Sequence, residues 1–201
     1  MVYNVPKTVP FVKGEEFQLD FPLIDLAIKV STKAHEGQYR KGTNLPYISH
    51  PYAGGMLLMS SECTSEVVAA GILHDTVEDT ELTLLDIEEQ FGPKVASIVE
   101  ECSEPNKEWS WEERKEHTIE YLKTAPIEVK LVTCADKLHN VRTMYENYQL
   151  EGEDFWNRFN RGKEKQAWYY RNIVKSLRVN STFPMLDALQ EEVEKLFNDS
   201  L

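Results

Sequence analysis

The chain has 201 residues, 41% of them hydrophobic and 28% charged, which is enough for one globular domain with a core of its own. With 34 acidic residues against 22 basic ones, a formal net charge of −12 excludes broad electrostatic binding to nucleic acid or to an anionic membrane; an anionic substrate would need positive charge gathered locally. Cys63, Cys102 and Cys134 are odd in number and lack CxxC spacing, and no stretch approaches the ~20 apolar residues that span a bilayer. A cytoplasmic protein without disulfides, and without membrane or nucleic-acid partners, is expected; its oligomeric state stays open.

Residues 1–21 hold Pro6, Pro10 and Gly14 with no sustained period and read as an irregular arm. From Pro22, the residues Leu23, Leu26, Ala27 and Val30 recur at helical spacing as far as Ala34, and Gly37 closes that helix. Gly42, Asn44 and Pro46 give residues 38–49 loop chemistry. Pro51 then suits the first turn of a helix through Met59, which places His50 at a loop-to-helix junction. A helix over 65–74 follows. Thr83 with Asp86 has the form of a capping box ahead of Ile87 and Phe91, and Gly92-Pro93 ends that helix and opens another through Cys102. Residues 103–108 form a polar loop. Ser110 with Glu113 repeats the capping signature before a helix to Lys123, with His117 on its charged, exposed face. Pro126 opens a long helix to about Tyr148, the Gly152 region turns, and helices fit 163–178 and 184–198. Nothing alternates with period two for long enough to demand a sheet. The expected fold class is all-α: an arm over 1–21, then one domain over 22–201.

Within that plan His74-Asp75 is out of place. It follows Val67-Val68-Ala69-Ala70-Gly71-Ile72-Leu73, a run apolar on all sides and therefore buried, where an ionised carboxylate needs compensation. A divalent cation supplies it, because imidazole and carboxylate are both good ligands. Adjacent residues cannot share a helix face, so use of both side chains requires the backbone to turn there; Thr76-Val77 and the acidic residues beyond permit this. In the long helix, steps of three or four from Val129 and Val132 reach Asp136, Asn140 and Thr143, while Lys130 and Lys137 fall on another face. Asp136 thus points inward. Alone it could cap a neighbouring element or pair with an arginine; with His50, His74 and Asp75 it completes an N2O2 donor set. Glu78 and Asp79, three and four positions after Asp75, can reach the same place, although composition alone makes them a solvated acidic turn.

Four strings are more specific: AHEGQYRK at 34–41, PYISHP at 46–51, HDTVEDT at 74–80 and ADKLHN at 135–140. Together they resemble the HD-domain metal-dependent phosphohydrolases, and within these the hydrolase domain of the RelA/SpoT homologues, which remove the 3′-pyrophosphate of guanosine tetra- and pentaphosphate. The resemblance covers residues 22–150. It implies a helical HD-domain bundle in which His50, His74, Asp75 and Asp136 hold one divalent ion, usually Mn²⁺. Glu78 and Asp79 would position and activate the attacking water as the catalytic pair. Arg40 and Lys41 would contact the substrate, and Asn140 with Thr143 the nucleotide.

No region remains for the further domains of the long enzymes, so a stand-alone small alarmone hydrolase is the nearer likeness. Two other readings keep part of this picture: hydrolysis of another nucleotide, such as the 2′-phosphate of NADPH, or an antitoxin-type protein that opposes a toxic alarmone synthetase by hydrolysis or by contact. Residues 163–171 read as a Trp/Tyr core stripe with a charged outer face rather than a rim of the cleft. His35 reads as a packing or outer-shell residue, and His139 as a hydrogen-bonded core residue rather than a ligand.

Overall fold

The computed structural model describes residues 19–104, 106 and 108–198, so the expected arm over 1–21 lies almost wholly outside the described residues. Helix α1 (Phe21–Ala34) begins where the Asp20 carboxylate accepts the Leu23 amide at 3.2 Å, and it turns Ile24, Ala27 and Ser31 inward. Between α1 and α2 (Ser49–Ser60) the chain makes an isolated antiparallel bridge, Tyr39 to Pro46, with the Arg40 amide on the Leu45 carbonyl at 2.9 Å. Among the described residues there is no longer strand, and the all-α expectation holds.

Helix α3 (Ser65–Leu73) is the centre of the fold. Every residue except Glu66 is buried, and α1, α2, α6 and α8 pack around it. Such all-round burial is what an apolar run without polar faces requires. Two glycines set its distance from α2. A Cβ on Gly71 would stand 2.2 Å from Leu58 Cδ1, and one on Gly55 would stand 2.6 Å from Ile72 Cγ1, so the backbones approach more closely than any larger residue allows. That approach brings His50, at the start of α2, beside His74, at the end of α3.

The expected capping boxes are both present: Thr83 and Asp86 open α5 (Leu84–Phe91), and Ser110 and Glu113 open α7 (Trp111–Leu122). Gly92, at φ +82°, separates α5 from α6 (Pro93–Cys102). The long helix α8 (Ile127–Glu151) has Pro126 as its N-cap and supports α2, α3, α6 and α10 (Pro184–Asn198). Helix α9 (Gly162–Leu177) joins α7 and α10. Two short pieces carry no periodic signal in the sequence: a single turn, α4 (Thr76–Asp79), and a 3₁₀ helix (Gly152–Arg158) where only a turn is expected. Both are too short for amphipathic spacing to register.

The two lysines of α8 depart from the face expected for them. Lys130 is buried and donates to the Val179 carbonyl at 2.5 Å, while the Lys137 ammonium bends back to Asp136 at 2.5 Å. Helical spacing fixes where a Cβ points, and four methylenes can carry the ammonium to another face. Cys63, Cys102 and Cys134 are free thiols. Among the described residues no helix is long and apolar enough to cross a membrane.

Candidate active site and metal centre

The backbone turns where the sequence requires it. Helix α3 ends at Leu73, Asp75 takes φ −91° and ψ −8°, and α4 begins only at Thr76; across that break the side chains of His74 and Asp75 meet although they are successive in the chain. His50, His74 and Asp136 each place a ligand atom within 4.8 Å of the others. Asp75 Oδ2 lies 3.2 Å from His74 Nε2 and 3.7 Å from His50 Nε2; Asp136 Oδ1 lies 3.2 Å from His50 Nε2 and 4.0 Å from His74 Nε2. Three separate segments therefore converge.

Each donor is held from behind. His74 Nδ1 faces the Gly71 carbonyl at 2.8 Å, and a carbonyl only accepts, so Nδ1 carries a proton and Nε2 is the atom turned toward the cluster. His50 Nδ1 meets His139 Nδ1 at 2.7 Å. The Tyr47 hydroxyl donates to Asp75 Oδ2 at 2.6 Å. Asp136 accepts from Lys137 through Oδ2 and from the Asn140 amide through Oδ1, each at 2.5 Å. Such partners orient ligands and fix their tautomers.

The charges follow from this packing. Burial works against ionisation of Asp136, and the Lys137 ammonium, with the two imidazoles, overcomes it and holds the carboxyl well below its usual range. Asp75 is likewise lowered, against its burial, by His74 and His50. Burial keeps His50 neutral despite Asp136; His74, equally buried but facing Asp75, is raised to about 9. Burial and the carboxylate of Asp75 push the Tyr47 phenol up, so it remains a donor.

This donor set fits a divalent cation. His74 Nε2 is buried and has no hydrogen-bond partner, an expensive arrangement for an imidazole nitrogen unless a cation faces it. Two imidazoles and two ionised carboxylates are borderline ligands suited to first-row divalent ions.

Beside the cluster, Glu78 lies on α4 and accepts the Glu104 amide at 3.4 Å. Its carboxyl is raised, first by burial and then by the charge of Glu104. The Asp79 carbonyl accepts the Gln38 amide at 2.8 Å, and Gln38 Oε1 faces Nδ1 of His35 at 2.8 Å, whose buried ring packs beside Tyr47. Asp79 Oδ2 stands 3.5 Å from the Tyr47 hydroxyl. Arg40 donates to Asn140 Oδ1 at 2.7 Å, so a line runs from the basic loop through Asn140 to Asp136. Lys41 is turned away, its ammonium 5.9 Å from the centre of the Phe159 ring, and the Thr143 hydroxyl donates to the His139 carbonyl at 2.9 Å. The structure thus brings Arg40 and Asn140 to the cluster and leaves Lys41 and Thr143 at its edge.

One wall of the cleft is absent from the sequence reading. Lys115, His117, Thr118 and Tyr121 of α7, with Tyr169 of α9, line the same cleft as His74 and Glu78. Lys115 pairs with Glu104 at 2.6 Å and lies 5.0 Å from the centre of the Tyr169 ring. His117 is exposed as expected, yet faces the cleft. Tyr169 is both a core residue and a lining one, so residues 163–171 serve the core and contribute one ring to the cleft. The charged run around Lys115 reads as an ordinary solvated helix face; only the packing of α7 on α9 reveals where it points.

The HD domain family profile matches residues 27–161. The chain belongs to the HD domain family. Among HD relatives, the guanosine-3′,5′-bis(diphosphate) 3′-pyrophosphohydrolase MESH1 of Danio rerio is 33% identical over 173 residues, which cover 85% of this chain and 89% of that protein. The guanosine-3′,5′-bis(diphosphate) 3′-pyrophosphohydrolase of Haemophilus influenzae is 36% identical over 121 residues, covering 57% of this chain. The chain spans only 18% of that longer relative. A solved structure described as a metazoan ortholog of SpoT that hydrolyzes ppGpp superposes with a TM-score of 0.75 at 26% identity, over 89% of this chain and 97% of that one. A structure from Listeria monocytogenes gives a TM-score of 0.71 at 38% identity, over 75% and 99%. The His50, His74, Asp75 and Asp136 cluster lies within the residues that the HD profile matches.

Proposed function

We propose that this HD protein removes the 3′-diphosphate of guanosine tetra- and pentaphosphate as pyrophosphate, with His50, His74, Asp75 and Asp136 holding one divalent ion, Mn²⁺ by resemblance. The observation that carries the reading is the convergence of these four donors with Glu78 and Asp79 beside them, in a chain matched along 89% of the length of the zebrafish pyrophosphohydrolase. Three free cysteines, Cys63 and Cys134 buried and Cys102 partly so, support a reducing compartment, and we assign the protein to the cytoplasm.

A divalent ion bound there lowers the pKa of water and neutralises phosphoryl oxygens. The rest falls to side chains. Glu78, raised by burial and Glu104, takes a proton from the attacking water; Asp79, beside the Tyr47 hydroxyl, orients that water. The water oxygen bonds to the phosphorus attached to O3′, the P–O3′ bond breaks, O3′ takes up a proton, and pyrophosphate leaves. Arg40 and Lys115 supply the local positive charge that a chain of net charge −12 must concentrate for a polyphosphate. Residues 22–201 act in this reading as one domain.

The test is a hydrolysis panel with Mn²⁺, containing guanosine tetraphosphate, guanosine pentaphosphate, NADPH and simple nucleotides. Pyrophosphate release from the guanosine substrates is expected. Phosphate release from another member, with none from those two, would assign the same machinery to another nucleotide.

A further inference from the structure

The two histidines of the cluster have different partners behind them. His74 is locked, since its Nδ1 faces a carbonyl. His50 is not: its Nδ1 stands 2.7 Å from His139 Nδ1, with the ring centres 4.9 Å apart. Two ring nitrogens at that distance need one proton between them, because two protons collide and none leaves facing lone pairs. Either ring can supply it. If His50 donates, its Nε2 is bare and faces Asp136 Oδ1 and Asp75 Oδ2. If His139 donates, His50 Nε2 carries the hydrogen and bonds Asp136 at 3.2 Å.

The first arrangement can ligate a cation. The second satisfies His50 and Asp136 without one. We infer that His139 is a positioning residue that lets His50 exchange tautomers as the site loads, by reversing the direction of the bond between the two rings. On loading, His50 gives up the proton on Nε2 and takes the one between the rings onto Nδ1; His139 correspondingly loses a proton from Nδ1 and gains one on Nε2. The proton count of the pair and its charge are unchanged. The residue at 139 must therefore both accept and donate at one atom position, a requirement that neither helix propensity nor core packing imposes on it.

The inference rests on the reading that the cluster holds a divalent ion, and its test separates the two. Mn²⁺ affinity is measured by chelator competition for the wild type, His139→Phe, which can neither accept nor donate, and His139→Asn, whose amide can do either close to the position of Nδ1. Loss of an outer-shell partner weakens metal binding by about ten- to a hundredfold. That loss is expected for His139→Phe, with His139→Asn staying within about threefold of the wild type on the same scale. Side-chain ¹⁵N spectra of the wild type, free and loaded with diamagnetic Zn²⁺, should show His50 changing from the Nε2–H to the Nδ1–H tautomer while His74 keeps Nδ1–H. Equal Mn²⁺ affinity for wild type and His139→Phe, or one His50 tautomer in both states, overturns the inference. The spectra decide it even if His139→Phe fails to fold. A wild-type protein that binds no Mn²⁺ overturns the metal reading itself, and this inference with it.

Discussion

The floor of the cleft and its rim are built differently. On the floor, four donors from three segments are buried or nearly so, and each is held by at least one further group: Gly71, His139, Tyr47, or Lys137 with Asn140. On the rim, the basic loop is tied by the Tyr39–Pro46 bridge and by turn bonds of its own backbone, while its Lys41 ammonium only rests on the Phe159 ring and Lys115 of α7 shares Glu104 with Arg114. Overdetermined geometry fixes the chemistry, because displacing one donor disturbs several bonds at once. Loosely held charge can adapt, and sets which anion enters. On the proposed reading, the contrast assigns reaction type and substrate choice to separate parts of the fold.

The comparison breaks most sharply at Glu78. Glu78→Gln keeps shape and hydrogen bonding but cannot take a proton, so kcat should fall by about 10²- to 10⁴-fold while Mn²⁺ affinity holds; equal loss of metal binding would make Glu78 part of the floor instead. Next is Tyr47→Phe, which removes the hydroxyl behind Asp75 and should weaken Mn²⁺ binding by about tenfold or more, as read by chelator competition. On the rim, Lys115→Ala should raise KM by roughly tenfold, the worth of one charge-assisted hydrogen bond, and leave kcat nearly unchanged. A fall in kcat with constant KM would move Lys115 from rim to floor.

The smallest effect is one of pH. Glu78 must be ionised to act as a base, and its pKa is held above the ordinary value, so kcat falls as pH drops through that raised value. Glu104→Gln removes the like charge that helps raise it and releases Lys115 and Arg114 beside it. Both changes lower the pKa of Glu78, and the acid limb of the kcat profile should move to lower pH. A shift to higher pH would mean that Glu104 does not act on Glu78 through charge.

Much of the floor is legible in the sequence. An apolar run ending in His74-Asp75 announces a buried charge, the turn at that point follows from two adjacent residues needing one target, and helical spacing points Asp136 inward. The capping boxes at Thr83 and Ser110 sit where their side chains require. What escapes is set by distance in space. Lys115 belongs to a charged run whose spacing is that of any exposed helix, and its role depends on α7 lying against α9. Lys137 is misplaced by spacing because its side chain is long, and α4 is too short for periodicity to register. Arg40 and Asn140, a hundred residues apart, meet only because the bridge at Tyr39 and Pro46 lays the loop over α8.

The central claim, that the buried donors and Glu78 direct water onto the phosphorus of a guanosine 3′-diphosphate, is tested most directly by mass spectrometry of the products formed in H₂¹⁸O with Mn²⁺. Guanosine tetraphosphate should yield GDP and pyrophosphate in equal amounts, with a single ¹⁸O in the pyrophosphate and none in the GDP. Label in the nucleotide, orthophosphate in place of pyrophosphate, or no turnover would contradict it.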